Sequence, residues 1–162
     1  MRCEFQTYDV DGTMATMAEN AHLLNVPVIT GGVGLAEIRK FYQNSFIPQL
    51  PEDTETTLIS RTIGEIQIVD ELIFKFTHTI QMDWILPGLS PTNKRVEIAL
   101  VVIIGFNGYK VSHEHIYWDQ ASVLVQLGLL DTRSLPITGI ESSKMVANPH
   151  LYSMNGLHLK NA

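Results

Sequence analysis

The chain carries a single cysteine, Cys3, among 162 residues. That excludes an internal disulfide and a cysteine-built zinc cluster, and it fits a reducing compartment. Charge is also sparse, at 17% of residues, with 11 basic against 17 acidic side chains and a net charge of −6. The basic residues nowhere cluster, so no surface is expected to follow a phosphate backbone, and nucleic acid is not expected as a partner. The longest apolar run, Ile98 to Phe106, is nine residues, well short of the ~20 a membrane-spanning helix needs. The stretch from Met1 to Gly12 lacks the apolar centre of a signal peptide. No G-x-S-x-G or G-x-C-x-G elbow is present, which argues against a nucleophile-elbow hydrolase. These absences lead us to expect a soluble cytoplasmic protein with no membrane association.

What the chain has in quantity is apolar side chains, 45% of the total, enough for one ordinary domain with a sizeable core. No internal repeat or low-complexity segment is apparent. Residues 1–8 read as short and amphipathic. Asp9 or Asp11 in "DVDG" is placed to cap a short helix over "TMATMAEN". The segment "HLLNVPVITGGVG" reads as a short extended piece broken by Pro27 and by its glycines. A phosphate-cradling loop is conceivable there, but the spacing fits neither nucleotide-binding pattern, and a turn feeding a helix fits better. In "LAEIRKFYQNSFIPQL", Leu35, Ile38, Phe41, Tyr42 and Phe46 recur at helical spacing up to Pro48.

After "PEDTE" the period becomes two. Ile66, Ile68, Asp70, Leu72, Phe74, Phe76 and His78 share one face of a strand. "RVEIALVVIIGF" is apolar on both faces apart from Glu97, the mark of a central covered strand. "FNGYK" supplies a hairpin turn, "KVSHEHIYW" the returning strand, and Asp119 caps a final short helix, "QASVLVQLGLL". The order predicts an α+β domain over residues 1–135, in which a curved antiparallel sheet closes over N-terminal helices, followed by a tail at 136–162. A sheet bent around a helix leaves a hollow suited to a small molecule.

Several segments together resemble the SnoaL-like polyketide cyclases of the nuclear transport factor two-like superfamily, in the stand-alone form often described as related to dienelactone hydrolase. They are "FTHTIQMDWILPGLSPTNKRV", the "FNGYKV" hairpin and "HEHIYWDQASVLVQLGLL". Ser90-Pro91-Thr92-Asn93 is similar to the family's "PPTG" turn, and Gln126-Leu127-Gly128 to its "QLG" ending. "DVDGTMATM" and "TGGVGLAEIRKFY" stand where the family places its second and third helices, so the chain would begin within the first long one. The resemblance implies a cone-shaped sheet around an apolar pocket and a homodimer formed through the convex sheet face. It also implies cofactor-free chemistry: members are cyclases, isomerases, dehydratases, epoxide hydrolases or non-catalytic binders. Aligned without gaps from Gly128 back to Lys110, the cyclases' catalytic carboxylate falls on Ile116.

Alternation in "HEHIYWDQ" places Glu114, Ile116 and Trp118 on one face and His113, His115, Tyr117 and Asp119 on the other. If Ile116 faces the pocket, Glu114 and Trp118 go with it. A carboxylate in an apolar hollow has its charged form disfavoured and becomes a candidate acid or base near neutral pH. The plainer reading pairs Glu114 with a cation such as Arg61. His78 is a candidate proton carrier oriented by Asp70; alternatively His78 is a satisfied core histidine and Asp70 a wet strand end. His113 and His115, with Asp119 or His78, make a weak metal pattern, and no metal is expected. An outward set of His and Tyr more readily builds a polar dimer face, and Asp119 a helix cap. Tyr42, Trp84 and Trp118 suit a planar ligand or ordinary core packing. Phe74, Leu100, Val102 and Ile116 would form the apolar wall, and Tyr117 or Tyr42 a donor to a developing oxyanion. Asp83 has no assigned role. The expected function is a cofactor-independent isomerase or cyclase of polyketide-like, enolisable molecules; the alternative is a non-catalytic binding or dimerisation module.

Overall fold

The computed structural model describes residues 9–157. The amphipathic reading of residues 1–8, Cys3 with it, lies outside the described residues, as do residues 158–162. Helix α1 (Val10–Thr16) starts at Asp9, whose carboxylate accepts the Gly12 N–H at 2.9 Å. The expected helix over "TMATMAEN" stops there. From Met17 the chain is strand β1 (Met17–Asn25), with Ala21, Leu23 and Asn25 buried at period two. Pairing into the sheet, which Met17 joins on one side only, outweighs the local helical preference of Met-Ala-Glu. β1 runs antiparallel to β2 (Thr30–Val33) and parallel to β6 (Lys110–Trp118).

Helix α2 (Leu35–Phe41) continues into a single π turn (Tyr42–Phe46) and a 3-10 turn (Ile47–Gln49). Ile38, Phe41, Tyr42 and Phe46 are all buried, so the apolar stripe read from the sequence is the stripe that meets the sheet. The remaining strands are β3 (Glu55–Ile63), β4 (Gln67–Thr77) and β5 (Arg95–Asn107). The single six-stranded sheet has the order β2-β1-β6-β5-β4-β3. β3 is an addition to the expectation: it is exposed along its whole length, so no burial pattern advertised it. The β5–β6 hairpin closes on the Asn107–Lys110 pair, so its turn residues are Gly108, at φ +59°, and Tyr109, one residue later than an Asn-Gly turn in "FNGYK" would place them.

Helix α3 (Gln120–Gln126) is capped by Asp119, which accepts the Ala121 and Ser122 N–H groups at 2.9 and 3.2 Å. It ends sooner than "QASVLVQLGLL" implied, because Gly128 turns left-handed at φ +70°. The segment set apart as a tail contributes helix α4 (Glu141–Ala147), which packs on the outer side of β5. There the Ser143 hydroxyl donates to Glu97 at 3.1 Å, and Lys144 lies 3.3 Å from the same carboxylate. Among the described residues, no helix is long and apolar enough to cross a membrane.

The inner sheet face carries most of the core. Leu72, Phe74 and Phe76 of β4 and Val96, Ile98 and Leu100 of β5 are buried in one cluster with Ile38 and Phe41 of α2. So is the irregular segment holding Met82, Trp84, Ile85 and Leu86.

Candidate functional site

Between α2 with its π turn and the inner sheet face lies a cavity of about 530 Å³ of atom-free space, part of it open to solvent. The register puts its walls in rows. Val102 stands opposite Ile116, which stands opposite Asn25, and Glu114 stands opposite Leu23. The π turn carries one extra residue per turn, which brings both Tyr42 and Phe46 inward. Phe46 meets Trp84 edge-on at 5.1 Å, and Trp84 meets Phe74 at 5.7 Å. Six residues singled out in the sequence therefore stand around one cavity: Tyr42, Phe74, Trp84, Leu100, Val102 and Ile116. The space left inside these walls is slender.

Glu114 joins that wall. It is 6% exposed, and the Tyr42 hydroxyl donates to its Oε2 at 3.3 Å. The other polar groups of the wall are few. Asn25 donates to Thr30 Oγ1, which in turn donates to the Trp84 carbonyl at 2.6 Å and so fixes the Trp84 backbone. The Trp84 indole N–H is buried and, among the described residues, has no hydrogen-bond partner.

The proposed pairing of His78 with Asp70 is not brought together. Eight residues separate them along one strand line, roughly 25 Å at strand rise. Asp70 is fully buried and takes a bidentate pair from Arg61, with Nε and Nη2 at 2.6 and 2.7 Å. Arg61, considered above as a partner for Glu114, is thus committed to a different carboxylate. His78 lies beyond the end of β4 and is not part of the cavity wall. Its Nδ1 lies 3.3 Å from both the backbone N–H and the hydroxyl of Thr92, and its Nε2 is a buried atom without a partner among the described residues. Burial pushes the His78 imidazole below its ordinary value. Its backbone also pins the following loop, accepting from Thr92 and Asn93.

Tyr117 points to the outer face and is 41% exposed, so it cannot serve a cavity on the inner face. Trp118 is buried, but its indole N–H is spent on Gln120 at 2.6 Å and the residue is outside the wall. Asp83 staples its own loop: it accepts from the Gly88 N–H at 2.9 Å and from Gln81 at 2.6 Å. Those bonds hold its carboxyl below the usual range.

On the outer face, His113 and His115 gain a neighbour the sequence did not offer. His22 of β1 lies opposite His113, stacked at 5.5 Å, with its Nε2 2.9 Å from His115 Nε2. Burial, then the neighbouring His113 and His22, push the His115 imidazole down. Among the described residues no group of three or more His, Cys, Asp or Glu is arranged to hold a metal ion.

Leu23, Asn25, Phe41 and Leu72 also line the cavity and were not singled out. Leu23 and Asn25 stand two apart in "HLLNV", a strand signal too short to stand out beside Pro27.

No protein-family model matches the sequence, and no curated protein matches it. Solved structures do. A protein from Jannaschia described as a SnoaL-like polyketide cyclase superposes with a TM-score of 0.66 at 13% identity, covering 80% of this chain and 89% of that one. AclR from Streptomyces galilaeus, described as a hydroxylase, gives 0.59 at 19% identity over 80% and 90%. A protein from Catenulispora acidiphila with a ketosteroid isomerase-like fold gives 0.58 at 11% identity over 80% and 88%. The likeness is one of fold: this chain has the nuclear transport factor two-like, ketosteroid isomerase-like architecture.

Proposed function

We propose that the chain is a cofactor-independent isomerase or cyclase that moves protons on a polyketide-like, enolisable small molecule. The observation that carries this reading is Glu114, a carboxylate sealed into a wall otherwise built almost wholly of apolar and aromatic groups. Glu114 takes the proton from a carbon beside a carbonyl, and the electron pair moves onto the carbonyl oxygen as an enolate. The same carboxyl then returns the proton to another position; in a ring closure the enolate carbon instead adds to a second carbonyl carbon of the same molecule, whose C=O pair moves onto its oxygen and takes the proton from Glu114. Tyr42 holds the carboxyl in place through its hydroxyl. A ligand oxygen that reaches the Trp84 indole N–H would supply the partner that this donor lacks. Apolar walls exclude water and strengthen each of these contacts. The structural neighbour described as a SnoaL-like polyketide cyclase supports the substrate class by analogy of fold. The proposed setting is a cytoplasmic homodimer formed through the outer sheet face.

The test is deuterium exchange at the α-carbon of candidate polyketides, followed by NMR. Glu114→Gln should lower exchange by ~10²-fold or more, with melting temperature unchanged. Tyr42→Phe should lower it less. Full activity in folded Glu114→Gln refutes the assignment. One observation favours a second reading, a binding module without turnover. The slender free space admits a fused ring system only if Phe46 and Trp84 move aside. Ligand binding by the parent with no exchange at any position would select it.

A further inference from the structure

A second hollow, of about 800 Å³ of atom-free space and likewise partly open to solvent, opens at the other end of the sheet. Glu114 belongs to the walls of both hollows. Apart from Glu114, the second has walls of Ile68, Ile104, Phe106 and Val111, with Arg61 as its cation and the fully exposed Tyr109 at its rim.

The guanidinium there is held unusually firmly. Asp70, fully buried, grips the Nε–Nη2 edge through two short bonds. A guanidinium has five N–H donors in one plane, and this grip occupies one edge and fixes that plane. The side chain remains 40% exposed and lines the hollow, so the edge carrying Nη1 is offered to whatever enters. A buried ion pair is a poor source of stability compared with apolar packing; fixing a donor fork is a use that repays it. Two parallel N–H groups in a plane match the two oxygens of a planar carboxylate. A phosphate dianion would want further donors, and the hollow supplies no second cation.

We infer that this hollow is a binding site for the carboxylate of an amphipathic carboxylic acid. Its acid group pairs with the free edge of Arg61 and its apolar body lies on Ile68, Ile104, Phe106 and Val111. Asp70 is the positioning residue for Arg61. The inference goes beyond the proton-transfer reading and stands whether or not Glu114 acts as a base, because it is read by binding alone.

The experiment compares 2-naphthoate with its neutral isostere 2-naphthamide by calorimetry, with NMR shifts to locate the ligand. The parent should bind the acid about tenfold more tightly than the amide, equivalent to about 1.4 kcal/mol. The preference should vanish in Arg61→Gln and shrink in Arg61→Lys, which keeps the charge but loses the fork. Should Arg61→Gln fail to fold with Asp70 left bare, the Arg61→Gln/Asp70→Asn double variant reads the same loss. Glu114→Gln, which removes the opposing carboxylate, should tighten the acid and leave the amide unchanged. Four results would overturn the inference. They are equal affinity for the two ligands, a preference that survives loss of Arg61, no binding of either, and shifts centred on Phe46 and Trp84 instead of Ile104 and Val111.

Discussion

Gly32 is the point at which a backbone detail of the fold should be felt at Glu114. It pairs with Leu23 in the β1–β2 ladder, and helix α2 rests directly on it. A Cβ at this position would lie 2.8 Å from the Glu37 carbonyl carbon and 2.9 Å from both Glu37 Cβ and Ile38 N. Backbone atoms cannot swing aside as a side-chain tip can, so in Gly32→Ala the helix must back away by roughly 0.5–1 Å to regain ordinary contact. Overpacking of this kind costs about 1–3 kcal/mol. At about 2–4 °C per kcal/mol for a chain of this size, a cost of 2 kcal/mol lowers the melting temperature by about 4–8 °C. The displacement also travels along a continuous helical run to Tyr42, whose bond to Glu114 is already 3.3 Å long. Thermal and urea unfolding measure the first effect, and α-carbon exchange or ligand affinity the second. Gly156→Ala, where a Cβ would meet nothing within 4 Å, serves as the control and should stay within about 0.5 kcal/mol. If Gly32→Ala melts with the parent, α2 does not sit on β2 as described and the coupling to Tyr42 is wrong.

The remaining predictions address the rest of the frame. Asp119→Ala should cost about 1 kcal/mol by urea titration and Asp119→Asn much less, because either oxygen caps the α3 N–H groups; equal losses would refute the cap. His78 and His115 both have folded values pushed below the ordinary 6.5. The unfolded chain therefore binds protons first on acidification, so stability is intact above about pH 6.5 and falls below it, levelling off once the folded values are passed. Melts across that range should show the slope, reduced in His115→Asn; a parent melting temperature that does not move argues against it. Deleting residues 136–162 should lower the melting temperature measurably, since α4 and Gly139 then no longer cover Glu97 and Ser122; an unchanged melt would mark the segment as dispensable.

The long, strongly patterned elements were legible. β4, β5 and β6 carry period-two burial over many residues, and α2 carries a clean helical stripe, so their faces followed from spacing alone. That was enough to place Glu114 with Ile116, Phe74 and Tyr42 around one space. β1 was legible only in its second half, where "HLLNV" reads as extended; Met17-Ala18-Glu19 favours helix and only its pairing with β6 makes it strand. The parallel pairing itself was not legible, and it is what sets His22 beside His113 and brings Leu23 and Asn25 to the cavity wall. β3 was hidden for the opposite reason, since a strand exposed on both faces has no burial period, and with it went the true partner of Asp70. The His78–Asp70 pairing failed on distance: sharing a strand face says nothing of adjacency when two residues stand eight positions apart.

Glu97 shows why the chain past Leu135 reads as loose in sequence yet is ordered in structure. It is the one charge past the first residue of an otherwise apolar strand, and it is buried on the outer face, where a lone carboxylate is costly. Its compensation comes from several elements at once: Lys75 of β4 at 3.6 Å, Ser143 at 3.1 Å and Lys144 at 3.3 Å from α4. The Gln126 side chain of α3 meanwhile bonds both backbone groups of Glu97. Burial of the carboxylate and docking of α4 are therefore one event, and weak periodicity in the segment was no measure of its order. The same docking occupies the outer face near the start of β5. A second copy of the chain would be left the other end, where His22, His113, His115 and Tyr117 stand. Polar residues at that end and an apolar wall on the reverse follow from one alternation in "HEHIYWDQ", read through the sheet from its two sides.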